Sequence, residues 1–508
     1  MATHVPVEPR YRNVHVLGLI MDEGPQTAAE ITTRLYPDGG TPGRGDRKGE
    51  IVPKDPRSIR HKLNALVDDQ RLRRGDKNRY VVHPDLGRVW IIYVGSERGY
   101  VGVYDASLQP IALLAGSPGE VALRVLPDIG EATRLESQQV LNRCLSALAE
   151  IVACVDERDR EPGALVVGLP AALSLDNRRV QEDGQPGWID QQLPTIDEIV
   201  EEKWASLRRR SRQGGHELPD LPRIADGAVA LTADADIVLD TLGAMHDPTR
   251  IGVDPPDPRR ARVVLGVKHS AGIRSTVITR GPSDLHLDRE HRRPAGHRRD
   301  IVYRGAFGDT IGLGHSIALI QRAHRKTREG ADDGVMWEDV TQYHARRVTD
   351  GRPCSCGAVD PPHLNQVASY SAVEERLRTA GLAVDPADIW ESVYREIEHE
   401  SAAGICARLI LEETGRLLAY ALDNGVRLYD PEAIVVTGKM AFNDTMWTTV
   451  SQTAEVSRGS KRRLLVRAAD IPGDDVDRPI GPRGAAWLGF DTWVYPALLA
   501  ELDAAGQR

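Results

Sequence analysis

The sequence predicts an α/β protein of more than one folding unit: a small, mainly helical module over residues 1–86, then a two-lobed α/β body over residues 87–508. Three observations carry this. Apolar residues recur at helical spacing before Arg88, strand-like apolar runs alternate with long amphipathic helices after it, and the second half of the body repeats the scheme of the first. A chain of 508 residues, 41% hydrophobic and 27% charged, is ample for several cores at roughly 150 residues per domain.

In the first module, YRNVHVLGLIMDEG places Val14, Val16, Leu17 and Ile20 on one helical face, with Gly24 ending the helix, and QTAAEITTRLY is a second amphipathic run. DPRSIRHKLNALVDDQ starts with an aspartate and a proline suited to N-cap and first helical positions. It carries Ile59, Leu63 and Leu66 on one face and Arg57, Arg60, His61 and Lys62 on the other. RLRRGDKNRYVV then reads as two short strands around a turn, flanked by Arg73, Arg74, Lys77 and Arg79. Three helices followed by a basic hairpin are the order of a winged helix-turn-helix, whose third helix enters the major groove while wing cations neutralise phosphates. A small helical protein-interaction module is the competing reading. The connector TPGRGDRKGEIVPKDP is either a flexible phosphate-contacting arm or a disordered loop.

Charge supports a local contact with nucleic acid. The net charge of −9 argues against nonspecific binding by the whole molecule. Between Arg44 and Arg79, however, twelve Lys and Arg face six Asp and Glu. No apolar run approaches the ~18 residues that span a bilayer. The start MATHVPVEPRYRN lacks an export signal, so the expected location is cytoplasmic. Five cysteines are too few for a disulfide framework, which leaves thiols or a metal site. Cys144, Cys154 and Cys406 sit in helix-like apolar segments and are expected to be buried.

In the body, VWIIYVGSERGYVGVYD and LQPIALLAG read as successive strands, SQQVLNRCLSALAEIVACVDE as a long helix and ALVVGLP as a buried strand. RVVLGVKHSAGIRSTVIT reads as a hairpin, SAAGICARLILEETGRLLAYALDNG as helical and EAIVVTGKM as a strand. A cleft between two lobes follows. The order VVGLPAAL, PGWID, DADIVLD, SAGI, YRGAFG, GLGHS, RPCSCG, HLNQVAS, IVVTGKMA, GPRGAAWLG resembles the ROK family of repressors, open reading frames and sugar kinases, over nearly all of residues 87–490. The resemblance implies an actin/hexokinase-like body, with lobe one at about 87–232 plus the C-terminal helix and lobe two at about 233–489. A winged helix-turn-helix in front is the layout of the family's transcriptional regulators. It implies a homodimer on double-stranded operator DNA, responsive to a sugar or related effector and tied to carbohydrate metabolism.

Carried over by position, the resemblance implies a degenerate kinase. Where family kinases have E-N-D-A-N, with an aspartate that accepts the proton of the sugar hydroxyl, TADAD puts Asp234 at the base position. The flanking positions are Ala233 and Asp236, and Asp234 is equally readable as a structural carboxylate. The D-x-G-G-T phosphate loop appears as YVGSE, with Tyr93 for the acid and Gly95 kept. The second phosphate loop reads SAGIRST, keeping Ser270 and Gly272 but adding Arg274 and Ser275 where close backbone approach is required, and the adenine-side cluster keeps Gly438 beside Lys439. ATP is therefore not an expected cofactor. An ATP-dependent sugar kinase using Asp234 as base is the alternative, and an interaction scaffold a third reading.

On the sugar side, GLGH keeps His315 while Gly312 replaces the sugar-binding glutamate, and CSCGAVDPPHLN keeps Cys354 and Cys356, puts His363 at the third cysteine's place and Asn365 at a second glutamate's. Asp234, Asp236, His315 and Asn365 are thus the candidate ligand-binding residues. His315, Cys354, Cys356 and His363 make a complete four-ligand set for a structural zinc, with no open position for an activated water. Two insertions depart from the family spacing. Residues 316–353 are expected to add a helix or two, and the His/Arg-rich residues 286–300 are a solvated loop or a contact to DNA, an acidic partner or a metal.

Overall fold

A computed structural model of the chain describes residues 13–35, 40–42, 51–53, 56–94, 99–114, 120–126, 137–168, 196–214, 217–221, 235–246, 261, 263–270, 272–279, 302–304, 321–325, 335–339, 363–382, 389–454, 464–467 and 480–505. Helix α1 (Asn13–Glu23) turns Val14, Val16, Leu17 and Ile20 inward, and Gly24, at φ 77°, ends it by donating to the Ile20 carbonyl at 2.9 Å. Helix α2 (Ala28–Leu35) opens with a reciprocal cap: Thr27 Oγ1 accepts from the Glu30 amide at 3.2 Å and Glu30 Oε2 from the Thr27 amide at 2.7 Å. Helix α3 (Pro56–Asp68) starts on its proline and buries Ile59, Leu63 and Leu66.

The connector between α2 and α3 is not simply a flexible arm. Strand β1 (Gly40–Pro42) pairs antiparallel with β2 (Ile51–Pro53), so the described residues near its two ends are paired, while residues 43–50 lie outside the described residues. After α3, β3 (Leu72–Arg74) and β4 (Tyr80–Val82) form the expected wing, turning through Lys77 and Asn78 at φ 54° and 57°. Gln26 and Tyr80 exchange backbone hydrogen bonds at 3.2 and 2.8 Å, which ties the wing back to the start of α2.

The body is built on two sheets of related plan. In the first, ordered β7-β6-β5-β8, β5 (Arg88–Val94) runs antiparallel to β6 (Gly99–Asp105), β6 antiparallel to β7 (Leu123–Leu126), and β5 parallel to β8 (Ala164–Gly168). In the second, ordered β11-β10-β9-β14-β15, β9 (Val263–His269), β10 (Ile273–Thr279) and β11 (Val302–Arg304) are antiparallel, while β14 (Ala433–Thr437) lies parallel to both β9 and β15 (Leu464–Arg467). Among its described residues LQPIALLAG makes isolated bridges at Pro110 and Ala112 rather than a named strand, and the third strand of the first sheet is the short β7. Of the inserted residues 316–353, β12 (Gln321–Arg325) and β13 (Val335–Asp339) pair as antiparallel strands, which replaces the helical expectation for those positions.

Central strands are buried on both faces, which is why they read as unbroken apolar runs. Val89, Ile91 and Tyr93 of β5 face the core between the sheets, while Trp90 and Ile92 pack under α4 (Ser137–Cys154) and α5 (Ile196–Gln213), where Trp90 and Trp204 meet at 4.9 Å. Leu265 and Val267 of β9, with Ile434 and Val436 of β14, pack against a helical layer. That layer comprises α7 (Leu364–Ala368), α8 (Tyr370–Thr379), α9 (Ile389–Glu398), α10 (Ala402–Tyr429) and α11 (Asp444–Thr453).

Between the sheets lie α6 (Ala235–Met245) and α12 (Ile480–Gly489) in glycine-mediated contact. A Cβ on Gly243 would stand 1.9 Å from the Ile480 carbonyl oxygen, and one on Gly484 1.8 Å from that of Leu239. The chain then turns through residues 490–494 into α13 (Tyr495–Ala505), whose Leu499 packs on Gly18 of α1. One apolar cluster therefore runs from α1–α3 into the body. Of the cysteines expected to be buried, only Cys144 is, and burial pushes its thiol up to about 12. Cys154, ending α4, and Cys406, on the outer side of α10, are exposed.

Candidate functional site

Two places bring predicted site residues together. The first is the outer surface of α3 and the wing. Because Ile59, Leu63 and Leu66 take the inner face of α3, Arg57, Arg60 and His61 are exposed and Lys62 is half-buried. Arg73, Arg74 and Lys77 are exposed on the wing, and Arg74 reaches Asn64 Oδ1 of α3 at 3.1 Å, fixing wing against helix. Arg79 serves a different purpose from the phosphate contact expected of it. It donates to the Pro25 carbonyl at 2.8 Å and to Glu30 Oε1 at 3.1 Å, pinning the base of the wing to α2.

The second place is the meeting of the carboxyl ends of the parallel strands, where open α/β sheets present ligand sites. Tyr93 at the end of β5 pairs in register with Gly168 of β8, and Lys268 near the end of β9 with Thr437 of β14. Tyr93 Oη donates to Asp240 Oδ1 of α6 at 2.8 Å, and Lys268 Nζ stands 2.7 Å from Asp240 Oδ2, an ion pair rather than a well-aligned hydrogen bond. Tyr93, Asp240 and Lys268 are 4%, 1% and 7% exposed, so the charges are paired within the protein. Gly481 makes room for this cluster: a Cβ there would lie 2.3 Å from Tyr93 Cζ and 2.7 Å from Asp240 Oδ1.

The second phosphate-loop position is likewise tied into the protein. Ser270 donates its amide to the Gly272 carbonyl at 3.0 Å and accepts from the Tyr370 amide at 2.8 Å, while Ile273 donates its amide to Asn365 Oδ1 at 2.7 Å. His269 Nε2 lies 2.5 Å from the Ala368 carbonyl, and burial lowers its pKa to about 4, so the ring is neutral and donates from that nitrogen. Gly438 holds φ 92° over the His269 backbone, and Lys439 Nζ sits 4.8 Å above the Tyr370 ring. Asn365, expected to face a sugar, thus gives its side-chain oxygen to the β9–β10 hairpin.

Asp234, Gly95, His315, Cys354 and Cys356 lie outside the described residues, as does the side chain of Asp236 on α6. His363 heads α7, its amide donating to Gln366 Oε1 at 2.5 Å. No cluster of three or more possible metal ligands occurs among the described residues. Sequence reasoning missed Asp240 and Lys268. Their signal was present: Asp240, the second acid within ADIVLDTLGAM, and the lysine within VVLGVKHS, each charge placed where its neighbours are core residues. No helix among the described residues is long and apolar enough to cross a membrane.

No curated protein matches the chain. Among solved structures, it is similar to a ROK hexokinase from Thermus thermophilus, 16% identical over 79% of this chain and 98% of that one, with a TM-score of 0.44. It is also similar to a ROK family transcriptional regulator described as a homolog of E. coli MLC, 14% identical over 96% and 97%, with a TM-score of 0.47. A ROK family glucokinase from Streptomyces griseus is 15% identical over 79% and 99%, with a TM-score of 0.43. At these values none of the three transfers a function. Residues 300–489 match the ROK family directly, and the chain carries a ROK family domain there.

Proposed function

We propose that the chain is a DNA-binding transcriptional regulator of the ROK type, a cytoplasmic repressor acting as a homodimer, whose kinase-like body does not transfer phosphate. The observation that carries this is the exposed basic face of α3, with Arg57, Arg60 and His61, set beside a wing bearing Arg73, Arg74 and Lys77. A recognition helix inserts in the major groove while wing cations hold the backbone, and two such heads read a two-fold site. Fluorescence anisotropy on DNA from the chain's own upstream region, over a salt series, tests it. Affinity should fall steeply with salt and weaken in Arg57→Ala/Arg60→Ala; binding indifferent to ionic strength would refute it.

The alternative, a sugar kinase using Asp234, is disfavoured by what occupies its nucleotide positions. Tyr93 is bonded to Asp240, the Ser270–Gly272 turn to Tyr370, and Lys439 lies over Tyr370. ATP turnover on a panel of hexoses and N-acetylhexosamines, lost in Asp234→Asn, would establish the kinase instead. An effector is a sugar or related molecule, although Asn365 is already engaged by Ile273.

The donor set His315, Cys354, Cys356 and His363 fits a structural zinc by its chemistry, two thiolates and two imidazoles. Bound there, zinc would brace the residues leading into α7 and supply no catalysis. Metal analysis should find one zinc per chain, lost in Cys354→Ser; a folded, metal-free wild-type protein would remove zinc from the account.

A further inference from the structure

We propose that Tyr93, Lys268 and Asp240 form an oxyanion site between the two sheets that the chain fills with its own carboxylate, a built-in substitute for a bridging ligand. Each group comes from a different element: the phenol from β5 of the first sheet, the ammonium from β9 of the second, and the carboxylate from α6 between them. A lysine and a tyrosine hydroxyl converging at 2.7 and 2.8 Å on two oxygens of one carboxylate is the arrangement that holds a small oxyanion in a binding site. Here all three residues are nine-tenths or more buried, so the ion is not exchanged with solvent.

Position turns this ion pair into a device. In a two-lobed α/β protein a ligand at the carboxyl ends of the strands draws the lobes together, and the lobes part when it leaves. Asp240 makes the same connection from inside and cannot leave. Gly481 fits the same purpose, because a Cβ there would collide with both Tyr93 and Asp240. The two sheets are thereby held in one relation with no ligand at this place, and the inference stands whether or not the head binds DNA. A buried pair of this kind adds little net stability over an apolar replacement, but it fixes geometry, and losing one partner is costly.

Asp240→Ala in the full-length protein, studied by hydrogen exchange and thermal unfolding with and without sodium formate at matched ionic strength, tests the proposal. Formate supplies the carboxylate that the substitution removes. Exchange is expected to rise about tenfold or more in both β5–β6 and β9–β10, on opposite sides of the cluster, and to fall back as formate saturates. Wild type should show no specific response to formate. Asp240→Asn/Lys268→Met, in which neither charge survives, should fold and ignore formate. The proposal is overturned if exchange rises around α6 alone, if formate acts equally on wild type or on the double variant, or if it has no effect on folded Asp240→Ala. Should Asp240→Ala not fold, the double variant decides: folded and unresponsive supports the site, and a failure to fold as well overturns it.

Discussion

Replacing Arg88 by alanine tests whether the helical head and the body are one continuous unit. The guanidinium donates to Asp159 Oδ1 at 2.8 Å, to the Pro84 and Gly87 carbonyls at 2.8 Å each, and to Asp85 Oδ1 at 3.0 Å. The Asp85 side chain is 58% exposed, so although Arg88 holds its carboxyl below the usual range, that contact contributes little. Asp159 is different. Its side chain is 12% exposed, and its other cation, Arg158, stands 3.8 Å away on a side chain that is 74% exposed. Losing Arg88 leaves a buried carboxylate without its main counter-charge and takes one donor each from the Pro84 and Gly87 carbonyls, Pro84 keeping the Ala106 amide at 3.2 Å, a cost of about 3 kcal/mol, at the low end for breaking a buried pair. Urea titration followed by tryptophan fluorescence should show this as a lower midpoint. A double-mutant cycle with Asp159→Asn should give a coupling of about 2 kcal/mol. Arg88→Lys should recover only part, since it keeps the charge and loses the planar fork. A loss below about 0.5 kcal/mol for Arg88→Ala, or simple additivity with Asp159→Asn, would refute the reasoning.

Three further outcomes are expected. Arg57→Ala/Arg60→Ala should weaken binding and lower the slope of log affinity against log salt by about 2, while leaving thermal unfolding unchanged; an unaltered slope would remove both side chains from the phosphate contacts. Alanine at Gly484 must displace backbone, since its Cβ would stand 1.8 Å from the Leu239 oxygen, so a loss of about 3 kcal/mol or more is expected in denaturant titration, and near-wild-type stability would contradict the close packing of α6 on α12. His269 is neutral in the folded protein down to about pH 4, whereas an unfolded histidine takes up its proton near 6.5. The unfolded state binds more protons in that window, so this contribution is complete above about pH 6.5 and declines by ~3 kcal/mol as pH falls to about 4. His269→Gln, which keeps an N–H for the Ala368 carbonyl, should flatten that dependence, and an unchanged pH profile would exclude His269 as its source.

Much of the fold was legible because its signals are local. Helices α1 and α3 showed their 3.6-residue stripes, and β5, β8, β9 and β14 were readable as apolar runs because each is covered on both faces. The strands that escaped were short and lacked alternation. Strand β7 has four residues with one fully buried, and β1, β2, β12 and β13 are brief segments whose pairing depends on a partner beyond a polar connector. Cys154 and Cys406 show the same limit: an apolar helical segment announces that one face is buried, and the face a given residue occupies is settled by what packs there.

Local pattern was enough to read the order of the central strands and of several helices, the basic character of α3 and the wing, and the loss of the usual residues at positions such as Tyr93 and Lys439. Composition and periodicity are properties of neighbouring residues, so they survive without coordinates. Tertiary structure alone decided what those residues do. Tyr93 meets Asp240 across 147 positions, Arg79 meets Glu30 across 49, and Ile273 meets Asn365 across 92. Whether a buried charge or an open amide finds its partner depends on which strands and helices converge, and no local pattern encodes that distance.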